Sequence, residues 1–181
     1  LRSKGNGATY SIAVGKSGTG NSLVLSDGAS FICDAGVPLS VGTDVGTSSN
    51  RVFIGSGCVV TNTGLVYVGH AGDYNSMTVS NASFAAGGYT HAGYSGFGNS
   101  ITICGGATYW FNGHLHVGYN VGASNNLFVA TGAGTVVTNL NYDLDVGFNG
   151  SRSRMRVAAG AEVTIRRSIY VGHNAGAVNN V

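Results

Sequence analysis

Histidine and aspartate recur in closely spaced pairs through the middle of this chain. Tyr89 and His91 are followed by His114 and His116, then by Asp143 and Asp145. One residue separates the members of each pair, so in an extended strand both side chains point to the same side. Imidazoles and a carboxylate on one face can hold a metal ion or move protons in acid–base catalysis. Tyr89, His91, His114, His116, Asp143 and Asp145 are therefore the candidate ligand face. A second candidate is cationic. Arg152, Arg154 and Arg156 head a late cluster that also holds Arg166 and Arg167, and a polyanion such as an acidic polysaccharide is the partner that patch would take.

Whether these pairs meet depends on the elements that carry them, and the carrier is a repeat. Val-Gly recurs at residues 14, 41, 68, 117, 146 and 171, and Ala92-Gly93 fills the one gap. An apolar residue stands two before the Val in every case but Thr90. A second block reads Asn-x-apolar-x-apolar, as in Asn21-Leu23-Leu25, Asn50-Val52-Ile54, Asn75-Met77-Val79, Asn99-Ile101-Ile103 and Asn125-Leu127-Val129. Ser153-Met155-Val157 continues it, and a last instance begins at Asn179. A third block reads Gly-small-x-apolar, from Gly28-Ala29-Phe31 to Gly160-Ala161-Val163, with Gly132-Ala133-Thr135 in the fifth coil. Asn81 replaces its glycine once. Asn is the residue that best tolerates the left-handed backbone, so that position calls for positive φ.

All three blocks alternate with period two, the period of strands, and none shows the helical period. Three short strands per repeat, separated by turns, describe one rung of a three-sided solenoid. A rung buries its apolar face only against the rungs above and below it. The expected fold is all-β: a parallel β-helix (β-solenoid) of about seven coils of roughly 26 residues, without helices. Residues 1–181 form a single segment, with coils starting near 14, 41, 68, 92, 117, 146 and 171. Stacking the coils makes columns, and Asn21, Asn50, Asn75, Asn99 and Asn125 fall in one. Stacked amides at strand spacing hydrogen-bond along the axis, so this column is a structural Asn ladder rather than a ligand set. The residues after Val-Gly form a half-aromatic stripe, Lys16, Thr43, His70, Tyr94, Tyr119, Phe148 and His173, which suits the cover of a corner.

The same alignment places the six candidate residues on three adjacent rungs of one outer face. The simpler reading of that face is a solvated strand surface with mixed polar residues. Only seven acidic residues exist in the chain, and Asp143 with Asp145 is the only close pair. No recognised ligand spacing occurs, the three Cys show no metal spacing, and the calcium-binding nonapeptide is missing. No catalytic residue, metal or cofactor is expected. The arginine patch likewise reads first as a solvated face that discourages wrong association.

Composition narrows the class. Hydrophobic residues make up 43% and charged residues only 9%, with 31 Gly and one Pro, which is unlike disorder. A net charge of +2 names no partner, no nucleic-acid motif occurs, and no apolar run is long enough to span a membrane. Leu1-Arg2-Ser3-Lys4-Gly5 lacks a signal-peptide core, and the chain stops in mid-pattern, so an excerpt of a longer repeat protein is expected.

The repeats Asn21-Ser22-Leu23-Val24-Leu25-Ser26-Asp27-Gly28-Ala29 and Leu115-His116-Val117-Gly118 resemble the passenger-type β-helix repeats of bacterial autotransporters and other large secreted surface proteins. The resemblance covers nearly the whole chain and carries no functional residue with it. It implies a right-handed parallel β-helix, export to the cell surface, and a role as adhesin, spacer or filament. A non-enzymatic extracellular structural or adhesive module follows as the expectation. Its partners would be neighbouring solenoid segments, copies of itself, or cell-surface glycans. The alternative is a carbohydrate-binding or carbohydrate-cleaving β-helix protein that uses the Tyr89 to Asp145 face.

Overall fold

A computed structural model describes residues 2–4, 11–34 and 36–181. Apart from the strand Arg2–Lys4, the opening residues 1–5 lie outside the described residues. The chain is a parallel β-solenoid, and the described residues contain no helix. Each coil gives one strand to each of three parallel sheets. The first sheet stacks Arg2–Lys4, Ser30–Asp34, Val59–Asn62, Ser83–Ala86, Thr108–Phe111, Val136–Asn139 and Glu162–Ile165. The second stacks Ile12–Val14, Leu39–Val41, Val66–Val68, Thr90–Ala92, Leu115–Val117, Leu144–Val146 and Ile169–Val171. The third stacks Ser22–Leu25, Arg51–Ile54, Ser76–Ser80, Ser100–Cys104, Leu127–Thr131 and Arg154–Ala158.

The period-two pattern becomes alternating burial. In the third sheet Val52, Met77, Ile101 and Phe128 point inward at 1% exposure or less, while the residues between them face out. The first sheet does the same with Phe31, Val60, Phe84, Tyr109 and Val137. Each fully buried apolar side chain contributes about 1.5–3 kcal/mol of transfer free energy, and together these columns make one continuous core. Tyr109 is the polar exception inside it, and its hydroxyl meets Thr90 Oγ1 at 2.9 Å. Cys33 and Cys58 are buried and all three cysteines are free.

The ladder explains the Val-Gly signature. Asn75 Oδ1 accepts the Asn50 N–H and Nδ2–H, Asn99 Oδ1 accepts both from Asn75, and Asn126 Oδ1 accepts both from Asn99. Each ladder side chain lies beneath the Val-Gly turn of the coil before. A Cβ on Gly42 would stand 2.1 Å from Asn75 Nδ2, and one on Gly69 would stand 2.1 Å from Asn99 Nδ2. Both glycines also hold φ near +70° to +79°. The strand therefore ends in glycine because an amide from the next rung fills the space a side chain would need.

In the fifth coil two expected alignments shift. The ladder residue is Asn126, not Asn125: Asn126 is fully buried and carries the bonds, while Asn125 is exposed at φ +56°. A left-handed residue precedes the ladder at Ser49, Tyr74, Gly98 and Arg152 as well, so of two consecutive asparagines the first makes the turn and the second the ladder. For the same reason Asn180, not Asn179, accepts the Ser153 N–H. Phe128 and Ala130 accordingly face inward in place of Leu127 and Val129. In the third block the corner is Gly134-Thr135-Val137, two residues later than expected, because Val137 pairs with Tyr109. Thr135 is tolerated at a corner otherwise filled by Ala or Cys because its hydroxyl accepts the Gly106 N–H and donates to Thr131 O. The expected positive φ at Asn81 is present, at +49°.

Candidate functional site

The second sheet positions the six candidate residues. Its strands are in register, so Tyr67, His91, His116, Asp145 and Tyr170 stack as direct neighbours along the axis. One step before each strand, the Tyr89, His114 and Asp143 carbonyls accept the N–H groups of Val66, Thr90 and Leu115. This ladder carries Tyr89, His114 and Asp143 up the same edge.

Three of the six residues do not lie on the solvated surface that alternation implies. His91, His116 and Asp145 are 2%, 3% and 1% exposed. Their cover is the stripe that follows Val-Gly. His70, Tyr94, Tyr119 and Phe148 stack with centroids 5.0–5.1 Å apart and planes within 15°. The stripe leans over a second stack in which Tyr67, His91 and His116 lie 4.9–5.1 Å apart. His91 meets Tyr94 edge-on at 5.1 Å, and His116 meets Tyr119 at 4.7 Å. Parallel strands bring every ring within contact distance of the next rung's ring, so aromatic residues at equivalent positions become columns.

At the Asp145 end the stacked rings give way to charge. Asp145 Oδ2 lies 3.3 Å from His116 Nε2 and 4.0 Å from His114 Nδ1. Asp145 Oδ1 lies 2.5 Å from His173 Nδ1. Asp143 Oδ1 accepts the Ser168 N–H at 2.9 Å and faces the exposed Arg167 at 3.8 Å, while Oδ2 is 3.9 Å from His114 Nδ1. Tyr89, His114, His116, Tyr119, Asp145, Phe148 and His173 line an open cavity of about 200 Å³. Comparison with family models, curated proteins and solved structures finds no match to this chain.

Burial sets the protonation of the cluster. Desolvation pushes His91 down to about 3, with the His70 and His114 rings adding to it. It pushes His116 down to about 2, with His91, His114 and His173 adding. Both imidazoles are neutral at neutral pH. Desolvation raises the Asp145 carboxyl above its ordinary value, opposed by the His173 hydrogen bond. The Nδ1 atoms of His91 and His116 are buried without a hydrogen-bond partner.

Three further residues belong to this cluster: His173, Arg167 and Tyr142, whose ring stands 5.4 Å from His114. His173 was visible as a member of the aromatic stripe, but its reach back to Asp145 depends on the turn geometry. Arg167 carries no repeat signal. Arg152, Arg154 and Arg156 are exposed around the third sheet, Arg154 and Arg156 on the outward positions of Arg154–Ala158. They stand apart from the histidine cluster. A second buried amide set also emerges. Asn62 donates to Gly64 O and Leu65 O, and Asn139 accepts the Asn141 and Tyr142 N–H groups at another corner.

Proposed function

We propose that this chain is a stretch of a non-enzymatic extracellular rod, a structural or adhesive β-solenoid module. The observation that carries the reading is the ladder. Asn21, Asn50, Asn75, Asn99 and Asn126 link five successive rungs through side-chain amides. Ser153 Oγ makes no hydrogen bond on the sixth rung, and Asn180 Oδ1 accepts the Ser153 N–H from the next. Among the described residues no insertion interrupts the strand–turn–strand repeat to build a cleft of the kind that carries chemistry in other folds. The surface placement rests on composition and on the autotransporter-type resemblance.

Imaging of the native full-length protein by electron microscopy, with diffraction along the particle axis, tests this. Seven rungs at about 4.8 Å span roughly 30 Å. Rods well beyond that length with a 4.8 Å axial repeat are the expected result, and compact particles that cleave a polysaccharide would overturn it. A glycan-binding reading has one observation in its favour. Tyr89, 41% exposed, stands at the mouth of the His114 cavity, where a ring and a carboxylate would meet a sugar.

A further inference from the structure

Asp145 is a carboxylate with almost no water and no permanent cation. Among the described residues its side-chain partners are imidazoles: His173 at Oδ1, His116 and His114 at Oδ2. The one guanidinium nearby, Arg167, faces Asp143 instead. A second carboxylate, Asp143, stands on the same edge within 3.9 Å of His114. A buried carboxylate beside a second one favours the entry of positive charge.

We propose that His114, His116 and Asp145 bind one divalent transition-metal ion. One ligand atom from each lies within 4.8 Å of the others. Bonds of about 2.0–2.1 Å in a tetrahedral zinc site put neighbouring ligand atoms roughly 3.3 Å apart. His116 Nε2 and Asp145 Oδ2 already stand at 3.3 Å. His114 Nδ1, at 4.0 Å from the same oxygen, has to close by about 0.7 Å. It is also the freest of the three, with 26% of its side chain exposed. His116 is held by its stack on His91 at 4.9 Å and by Tyr119 at 4.7 Å, so its Nε2 edge is aimed before an ion arrives. His173 supports Asp145 from its other oxygen, as an outer-shell partner does for a ligating carboxylate.

Two imidazoles and one carboxylate select a borderline ion such as zinc over calcium or magnesium, which prefer oxygen. The fourth position opens on the cavity under Tyr89 and Phe148, leaving room for water or a partner's donor. The ligands come from two adjacent rungs: His114 and His116 from one, Asp145 from the next. The ion therefore clamps the coils together. This stands on the cluster's geometry and not on the rod reading, and either could fail alone.

The test is calorimetric titration of metal-stripped protein with zinc chloride, followed by melting with and without zinc. One equivalent should bind saturably with micromolar or tighter affinity. At a hundredfold excess over Kd the melting temperature should rise by roughly 5–11 °C, and EDTA should reverse the rise. Cobalt(II) should give the visible absorption of a four-coordinate site. Asp145→Asn and, independently, His114→Gln at the less buried position should each weaken binding by roughly a hundredfold or more. Glu162→Gln, at an exposed carboxylate of the first sheet, should bind as the parent does. Calcium chloride should give no shift. The absence of saturable zinc binding, or binding that survives both Asp145→Asn and His114→Gln, overturns the proposal.

Discussion

Asn99→Ala removes the centre of the asparagine ladder, and its cost follows from the bonds that Asn99 makes. Asn99 Oδ1 accepts the Asn75 backbone N–H at 2.8 Å and its Nδ2–H at 3.1 Å. Asn99 Nδ2 donates to Phe97 O at 3.2 Å and to Asn126 Oδ1 at 3.3 Å. Alanine leaves two donors of Asn75 buried with no acceptor, and Asn75 is 1% exposed. Each orphaned buried donor costs about 1–3 kcal/mol, so the loss is about 4 kcal/mol, within a range of roughly 2–6. For a chain of this size that lowers the melting temperature by roughly 8–16 °C. Asn21→Ala is the internal control. Asn21 is exposed, its Oδ1 accepts no hydrogen bond among the described residues, and Asn50 Oδ1 keeps the Asn21 backbone N–H at 2.9 Å. That change should cost under about 1 kcal/mol. Thermal melting followed by circular dichroism measures the pair. Hydrogen exchange at the Asn75 amide reports the local opening even where a repeat protein departs from two-state behaviour. Equal stabilities of Asn99→Ala and Asn21→Ala, within about 1 kcal/mol, would refute the ladder as a source of stability.

Gly69→Ala and Gly28→Ala separate two effects. Both sit near φ +75° to +79°, but a Cβ at Gly28 meets nothing within 4 Å, whereas at Gly69 it would stand 2.1 Å from Asn99 Nδ2. Urea denaturation should show Gly28→Ala losing about 1–2 kcal/mol from backbone strain alone, and Gly69→Ala losing more because Asn99 must leave the ladder. At alkaline pH, burial, aided by the neighbouring Asp34 carboxylate, raises the Cys33 thiol to about 11. The folded chain keeps that proton while the unfolded chain releases it from about pH 9. Stability therefore falls as pH rises from 9 towards 11, by about 1.4 kcal/mol per unit for this group. Melting across that window should be less steep for Cys33→Ala than for the parent. An unchanged slope would remove Cys33 as a cause.

The strands, their order along each coil and the in-register stacking of Val-Gly were legible because period-two alternation and recurrent turns are local properties. The fifth coil was not. Asn125-Asn126 and the doubled glycines at 132 and 134 each offer two local solutions, and pairing with Tyr109 and Asn99 on the neighbouring rung chooses between them. The columns Tyr89–His114–Asp143 and His91–His116–Asp145 were legible from spacing alone.

Sequence by itself determined that this chain is a solenoid and which side chains share a column, since both follow from repeat length and strand period. Only the tertiary structure decided that His91, His116 and Asp145 are covered. In an isolated strand His91, His116 and Asp145 point to solvent. They are buried because the ring after each Val-Gly turns back across the sheet edge and stacks on its axial neighbours. That turn also brings His173 to Asp145 across 28 residues of chain. Burial makes the His91 and His116 imidazoles neutral, and no local pattern of residue types encodes burial on the outward side of a strand.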